Sequence, residues 1–270
     1  MTYSDTAAPR AVDLRIDGVG IYGEWRREPV AGLPNLVFLH DGLGSIENWR
    51  AFPDMLADDL GLGAFAYDRL GYGRSEGRDP WPDDFMAQSA GRLPLILDAA
   101  GMTDFILIGH SDGATVALEH AATAPTGLRA VVSMAAHVKR DPRSYGGLLE
   151  FIETARGDDL PGWLERFHGD RGGRVLTNWC DIWKRNLDAG WDISTSLNGI
   201  TAPLLAAQGV DDQWAHPLQI DAIAENAPHA VTRMLENSGH FPHLEDPAAL
   251  VELVAGFLRP LLSGKLSEIQ

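Results

Sequence analysis

Five residues of this 270-residue chain, Gly109-His110-Ser111-Asp112-Gly113, constrain its fold more than any other stretch. They follow Asp104-Phe105-Ile106-Leu107-Ile108, a run that reads as a buried strand. They precede Ala114-Thr115-Val116-Ala117-Leu118-Glu119-His120, which reads as a helix. A serine on so sharp a strand-to-helix turn is lifted from the sheet edge, and only glycine on either side lets the backbone pack closely enough. The turn also sets Ser111 at a helix N-terminus, where free backbone N–H groups and the helix dipole favour developing negative charge. The bare five-letter pattern occurs by chance in many chains. Between a strand and a helix it points to a nucleophile elbow rather than to a glycine-rich connection with an inert serine.

The rest of the chain repeats that strand-helix alternation. Ala11-Ile16 and Ile21-Trp25 suggest an N-terminal antiparallel hairpin, joined through Asp17-Gly18-Val19-Gly20. Further strands are expected at Leu36-Leu39, Ala64-Tyr67, Phe105-Ile108, Ala130-Met134, Leu204-Gln208 and Val231-Leu235. Several are apolar almost throughout, as parallel strands covered on both faces would be. Helices are expected at Ile46-Asp59, Asp83-Ala100, Gly113-Ala124, Pro217-Asn226 and Pro247-Leu262. The pattern predicts an α/β fold, a doubly wound, mostly parallel sheet of eight strands.

One interval breaks the rhythm. Almost seventy residues separate Met134 from Leu204, too many for a simple crossover. They hold helical stretches at Tyr145-Arg156, Gly162-His168 and Arg174-Leu187, and half of the eight tryptophans, namely Trp163, Trp179, Trp183 and Trp191. Residues 139–198 are therefore expected to form a helical cap inserted into a core of residues 1–138 and 199–270. Taken singly, each of these tryptophans reads as packing between cap and core; as a group, some are expected to line an apolar cavity. The end from Ser263 to Gln270 reads as a frayed tail.

Charge narrows the partners. With 22 basic and 38 acidic residues the formal charge is −16, which disfavours nucleic acid and anionic membrane surfaces. An apolar cap face would still support a dimer. The lone cysteine, Cys180, sits in a Trp-rich helical run, reads as a buried structural thiol and admits no intrachain disulfide. Residues Met1 to Arg10 show neither a basic nor an apolar leader, and no apolar run reaches membrane-spanning length. A cytoplasmic location is expected.

A serine hydroxyl needs a base within hydrogen-bond reach, and the base needs an orienting carboxylate. On a sheet of this order the acid should follow Leu204-Gln208 and the histidine should follow Val231-Leu235. Gln208-Gly209-Val210-Asp211-Asp212-Gln213-Trp214 and Asn237-Ser238-Gly239-His240-Phe241-Pro242-His243 stand there. Together with His40-Asp41-Gly42-Leu43-Gly44-Ser45 and Asp68-Arg69-Leu70-Gly71-Tyr72-Gly73-Arg74-Ser75, these motifs resemble the α/β-hydrolase fold superfamily along nearly the whole chain. The resemblance implies Ser111 as nucleophile, His240 as general base and acid, and an orienting aspartate. Asp212 holds the family's usual acid position, three residues after the glycine; Asp211 beside it stays open. The backbone N–H groups of Gly42 and Asp112 would form the oxyanion hole.

Two departures stand out. Asp41 replaces the glycine common after His40, and Asp112 stands where a neutral residue is usual. A carboxylate facing an oxyanion would oppose it, so Asp112 is expected to turn toward helix N-terminal donors or a cation, supplied by Arg69 or Arg74. Alternatively, Asp41 and Asp112 jointly read a polar or basic substrate group. Asp41, Leu43, His137, Trp163, Trp179, Trp183, Trp214 and Phe241 are the candidate substrate contacts. His110 is expected to point away from Ser111, His243 to pack near the histidine loop, and the Asp68–Ser75 motif to tie loops together. No metal-ligand spacing is present and no cofactor is implied.

The expected activity is a cofactor-independent serine hydrolase acting on a small carboxylic ester, thioester or lactone with an apolar acyl or aryl group. Relatives with similar triads instead cleave carbon–carbon bonds, transfer acyl groups or act as lyases. A non-catalytic small-molecule receptor is the third possibility, usually met where the triad is damaged. Serine at the elbow argues against the dehalogenases and epoxide hydrolases, which carry aspartate there.

Overall fold

A computed structural model of the chain describes residues 8–77, 79–155 and 161–263. Residues 1–7 of the segment inspected for a leader, Arg156 of an expected cap helix, and 264–270 of the expected tail lie outside them. Eight strands form one sheet: β1 (Arg10–Ile16), β2 (Val19–Arg27), β3 (Asn35–Leu39), β4 (Gly63–Tyr67), β5 (Phe105–His110), β6 (Leu128–Met134), β7 (Leu204–Gly209) and β8 (Val231–Leu235). Their order is β1-β2-β4-β3-β5-β6-β7-β8. Pairings β1/β2 and β2/β4 are antiparallel, and the other five are parallel.

The described helices are α1 (Phe52–Leu60), α2 (Phe85–Ala99), α3 (Asp112–Ala121), α4 (Pro142–Ala155), α5 (Gly162–His168), α6 (Gly172–Asp188), α7 (Leu218–Asn226), α8 (Pro242–Glu245) and α9 (Pro247–Leu262). The central strands are apolar at successive positions because both sheet faces are covered. Leu36, Phe38, Ile106 and Ile108 meet Phe52 and Leu56 of α1 and Leu250, Val254 and Leu258 of α9. Their chain neighbours Val37, Leu39, Phe105 and Leu107 meet the layer holding Leu93 and Ile96 of α2, Val116 and Leu118 of α3, and Ile220 and Ile223 of α7. The period of two sorts alternate residues to opposite layers. Each large apolar side chain so buried contributes roughly 1.5–3 kcal/mol, against the entropy of ordering it.

One expected helix, Ile46-Asp59, is divided. A 3-10 turn at Ile46–Trp49 ends at Arg50, whose φ of 51° breaks the helical path, and α1 restarts with Pro53 in its first turn. Proline is suited to a helix's first turn because the missing N–H has no intrahelical acceptor there.

Between β6 and β7 run α4, α5 and α6, over the interval set apart in the sequence. Buried Leu176, Cys180, Trp183 and Leu187 form one stripe of α6, at the spacing that places residues on a single helix face. The interval's two ends are joined by a bridge between Lys139 and Asp192, and Ile193 N–H donates to the Val138 carbonyl at 2.8 Å. Among the described residues no helix is long and apolar enough to cross a membrane.

Candidate active site

Ser111 sits between β5 and α3 with φ 53° and ψ −121°, a conformation that costs a residue with a Cβ and persists only where its surroundings enforce it. The flanking glycines provide that enforcement. A Cβ on Gly113 would stand 2.0 Å from the Leu39 carbonyl oxygen, and one on Gly109 would stand 2.5 Å from Ala114 Cα. The start of α3 therefore lies directly against the end of β3, which lifts Ser111 over the sheet's C-terminal edge.

His240 reaches Ser111 from the loop after β8, with Nε2 3.0 Å from Oγ. Its Nδ1 lies 2.9 Å from both carboxylate oxygens of Asp212, after β7. A proton on Nδ1, donated to the carboxylate, leaves Nε2 free to accept the serine proton. Asp212 Oδ1 also accepts the N–H groups of Trp214 and Ala215, at 2.8 and 2.9 Å. Burial alone would raise the Asp212 pKa; the His240 contact and those two amides outweigh it and hold the carboxyl below its ordinary range. Asp211, left open by the sequence, is exposed, and its N–H donates to the Ser238 carbonyl at 2.9 Å.

The histidine loop is held from two sides. Glu245 accepts from Ser238 Oγ at 3.0 Å, from Gly239 N–H at 2.6 Å and from Phe241 N–H at 3.2 Å. His110 Nε2–H donates to the His240 carbonyl at 2.6 Å, and burial pushes its pKa down to about 4, so it stays a neutral donor. His110 thus turns from the Ser111 hydroxyl toward the His240 backbone. His243 packs between His110 and Trp49, with ring centroids 4.6 and 4.8 Å away.

The loop after β3 faces Ser111 from the other side. The Asp41 carbonyl accepts from Arg69 Nη2 and from His40 Nδ1–H, each at 2.8 Å, and the Asp41 carboxylate accepts from Asn48 at 2.7 Å. His168, the last residue of α5, donates from Nε2 to the Leu43 carbonyl at 2.8 Å and accepts the Gly73 N–H on Nδ1 at 2.9 Å. Arg171 donates to the Gly73 carbonyl. Asp68 accepts the N–H groups of Ile46 and Arg74, both at 2.8 Å, so its motif does tie these loops together; burial raises its pKa to about 6.

The expectation for Asp112 is corrected. Among the described residues its carboxylate has neither a helix N-terminal donor nor a cation within hydrogen-bond or ion-pair distance. Trp179 Nε1–H donates to Oδ2 at 2.9 Å, and Trp183 Nε1–H lies 3.2 and 3.4 Å from the two oxygens. Arg69 stacks on Tyr72, 4.5 Å from its centroid, and Arg74 lies against Tyr22 and Glu24. Burial raises the Asp112 pKa, opposed in part by the charge of Arg69 and by the two indole hydrogen bonds. A Cβ on Gly42 would lie 2.1 Å from Trp179 Nε1 and 2.6 Å from Asp112 Oδ2, so glycine is what lets the loop pass beneath this contact.

A cavity of about 310 Å³ opens over Ser111 and His240. Asp41, Gly42, Leu43, Asp112, His137, Trp163, Trp179, Trp183, Trp214 and Phe241, all singled out in the sequence, stand on its wall. Trp191 does not line it and packs behind Trp183, 5.1 Å between centroids. Lys139, Asp141, Tyr145, Leu148, Phe151, Leu187 and Gln219 also line it and were not anticipated. The spacing Tyr145, Leu148, Phe151 marks one face of α4 and could have drawn them out. Gln219, which accepts the Val138 N–H at 2.8 Å, left no sequence signal. Among the described residues no group of three or more His, Cys, Asp or Glu is placed to hold a metal ion.

Comparison with known proteins agrees with this architecture. The model of the alpha/beta hydrolase family matches residues 36–253. The sn-1-specific diacylglycerol lipase ABHD11 of Mus musculus is 24% identical, over 84% of this chain and 82% of its own. Proline iminopeptidase of Lactobacillus delbrueckii subsp. lactis is 23% identical, over 83% of this chain and 89% of its own. Among solved structures, a carboxylesterase of Nitrososphaera gargenis superposes with a TM-score of 0.75 at 19% identity, covering 94% of this chain and 100% of its own.

Proposed function

Because this chain belongs to the alpha/beta hydrolase family and is a hydrolase, we propose that it is a cofactor-independent serine hydrolase that cleaves a carboxylic ester, thioester or lactone through an acyl-enzyme at Ser111. One observation carries this assignment: the unbroken relay from Ser111 Oγ to His240 Nε2 at 3.0 Å and from His240 Nδ1 to Asp212 at 2.9 Å. Ser111 Oγ attacks the carbonyl carbon while His240 Nε2 takes its proton. The alkoxide of the tetrahedral intermediate is held by the backbone N–H groups of Gly42 and Asp112. His240 then protonates the leaving oxygen or sulfur, the acyl–leaving-group bond breaks, and the acyl group remains on Ser111. Water, deprotonated by His240, attacks that ester and releases the acid. Asp212 keeps the proton of His240 on Nδ1 and stabilises the imidazolium.

The aromatic wall of the cavity suits an apolar acyl or aryl body. The test is intact-mass detection of a fluorophosphonate adduct on wild type, Ser111→Ala and His240→Ala. One adduct on wild type, none on folded Ser111→Ala and a strongly slowed one on His240→Ala are expected. No adduct on folded wild type would overturn the assignment.

A further inference from the structure

We propose that the substrate of this site carries an ammonium group on its acyl side, close to the scissile carbonyl, and that Asp112 is the residue that recognises it. The proposal rests on the serine-hydrolase function above and adds the substrate class: aminoacyl esters or thioesters with an apolar or aromatic side chain.

Four observations converge. First, Asp112 is 1% exposed and stands on the cavity wall, next in the chain to the nucleophile. Its hydrogen-bond partners among the described residues are the neutral indoles of Trp179 and Trp183, and no ion pair to it is found among them, the charge of buried Arg69 acting only from a distance. Second, Asp112 Oδ2 stands beside Gly42, 2.6 Å from where a Cβ on that residue would lie, and so borders the place where the amides of Gly42 and Asp112 would hold an alkoxide. For a neutral ester, carboxylate and alkoxide repel in a dry site. An ammonium on the acyl chain lies beside both and turns repulsion into attraction as the intermediate forms.

Third, His137 on the same wall donates from Nε2 to the Trp214 carbonyl at 2.9 Å, which makes its Nδ1 an acceptor; that atom is buried and has no partner among the described residues. Asp112 and His137 thus present acceptors alone, which suits a ligand group rich in N–H. Fourth, the wall carries three carboxylates, Asp41, Asp112 and Asp141, against one lysine, Lys139, and is otherwise largely aromatic. Indole faces beside a carboxylate favour cations over neutral groups.

The experiment compares the 4-nitrophenyl esters of phenylalanine and of 3-phenylpropanoic acid, which differ by the α-ammonium, at neutral pH, with each rate corrected for the protonated fraction of the amine. Each kcat/KM is divided by that ester's own uncatalysed hydrolysis rate. Wild type is expected to favour the ammonium ester by about 10–100-fold, the range of a charge-assisted contact. Asp112→Asn, which keeps the shape and an acceptor for the indoles, is expected to bring the ratio to about one and to raise turnover of the neutral ester. A wild-type readout needs no variant to fold: phenylethylammonium should protect Ser111 from fluorophosphonate at lower concentration than 2-phenylethanol does. Equal or better turnover of the neutral ester by wild type that is competent for labelling, or an unchanged ratio in Asp112→Asn, overturns the ammonium assignment alone. Absence of both labelling and turnover overturns the hydrolase function and this proposal with it.

Discussion

Replacing Asp212 by asparagine tests the relay with little change of shape. In the native site Oδ1 accepts two backbone N–H groups, from Trp214 at 2.8 Å and Ala215 at 2.9 Å. Neither amide can reorient, so asparagine must keep its carbonyl oxygen there. Its NH₂ group then takes the place of Oδ2, which lies 2.9 Å from His240 Nδ1. A donor now faces the N–H of Nδ1 beside the one remaining acceptor, Oδ1, which also lies 2.9 Å away but is shared with two amides, and the imidazole relieves the clash by shifting its proton toward Nε2. With Nε2 protonated, His240 no longer accepts the Ser111 proton. Losses from this tautomer error are about 10⁴-fold in kcat, roughly 5.4 kcal/mol at 1.36 kcal/mol per decade. The assay is kcat/KM on an activated ester, with circular dichroism and Tm confirming the fold. Asp211→Asn, on the exposed neighbour, is expected to stay within about twofold of wild type. A loss under about tenfold in Asp212→Asn, or an equal loss in Asp211→Asn, would refute the tautomer argument.

Other outcomes follow from the same geometry. Glu119 is largely buried, its Oε2 without a partner among the described residues, and burial raises its pKa from 4.5 to about 7. The native state then holds a proton that the unfolded chain releases, so stability falls as pH rises from about 4.5 to about 7; Glu119→Gln should remove up to roughly 3 kcal/mol of that loss at pH 8 and little at pH 4, read by urea denaturation at both. Gly113→Ala would push a Cβ to 2.0 Å from the Leu39 oxygen, costing about 3 kcal/mol or more and lowering Tm by about 10 °C. Gly256→Ala, in the exposed interior of α9 with open space around it, should instead stabilise by about 0.5–1 kcal/mol in the same melt. His168→Ala should lower kcat about tenfold while moving KM little, because it frees the Leu43 carbonyl without touching the cavity; a KM effect alone would count against that link.

What could be read in the chain and what could not divide along physical lines. The turn at Ser111 was legible because a positive φ and two backbone contacts demand glycine at fixed offsets, and that demand is written locally. The strands were legible because burial on both faces leaves runs without polar residues. Asp211 and Asp212 could not be told apart by pattern, since both occupy one turn after β7 and the direction of the backbone decides. The partners of Asp112 lie 67 and 71 residues along the chain. The spacing of Trp179 and Trp183 placed both indoles on one helix face, but where that face lands is a matter of tertiary packing. The break at Arg50 was announced by Pro53, which belongs in a first turn rather than in the middle of a long helix.

The tie made by His168 bears on how such a chain can be re-engineered. Two side chains from the interval between β6 and β7, His168 and Arg171, grip Gly73, and one of them also holds Leu43. The helices over the cavity are therefore no interchangeable cassette. A chimera that grafts another chain's helices between residues 139 and 198 discards those ties along with the tryptophans that line the cavity. The cavity's lining and the anchoring of the loops at Leu43 and Gly73 are inherited together here, and any exchange of one must rebuild the contacts that frame the other.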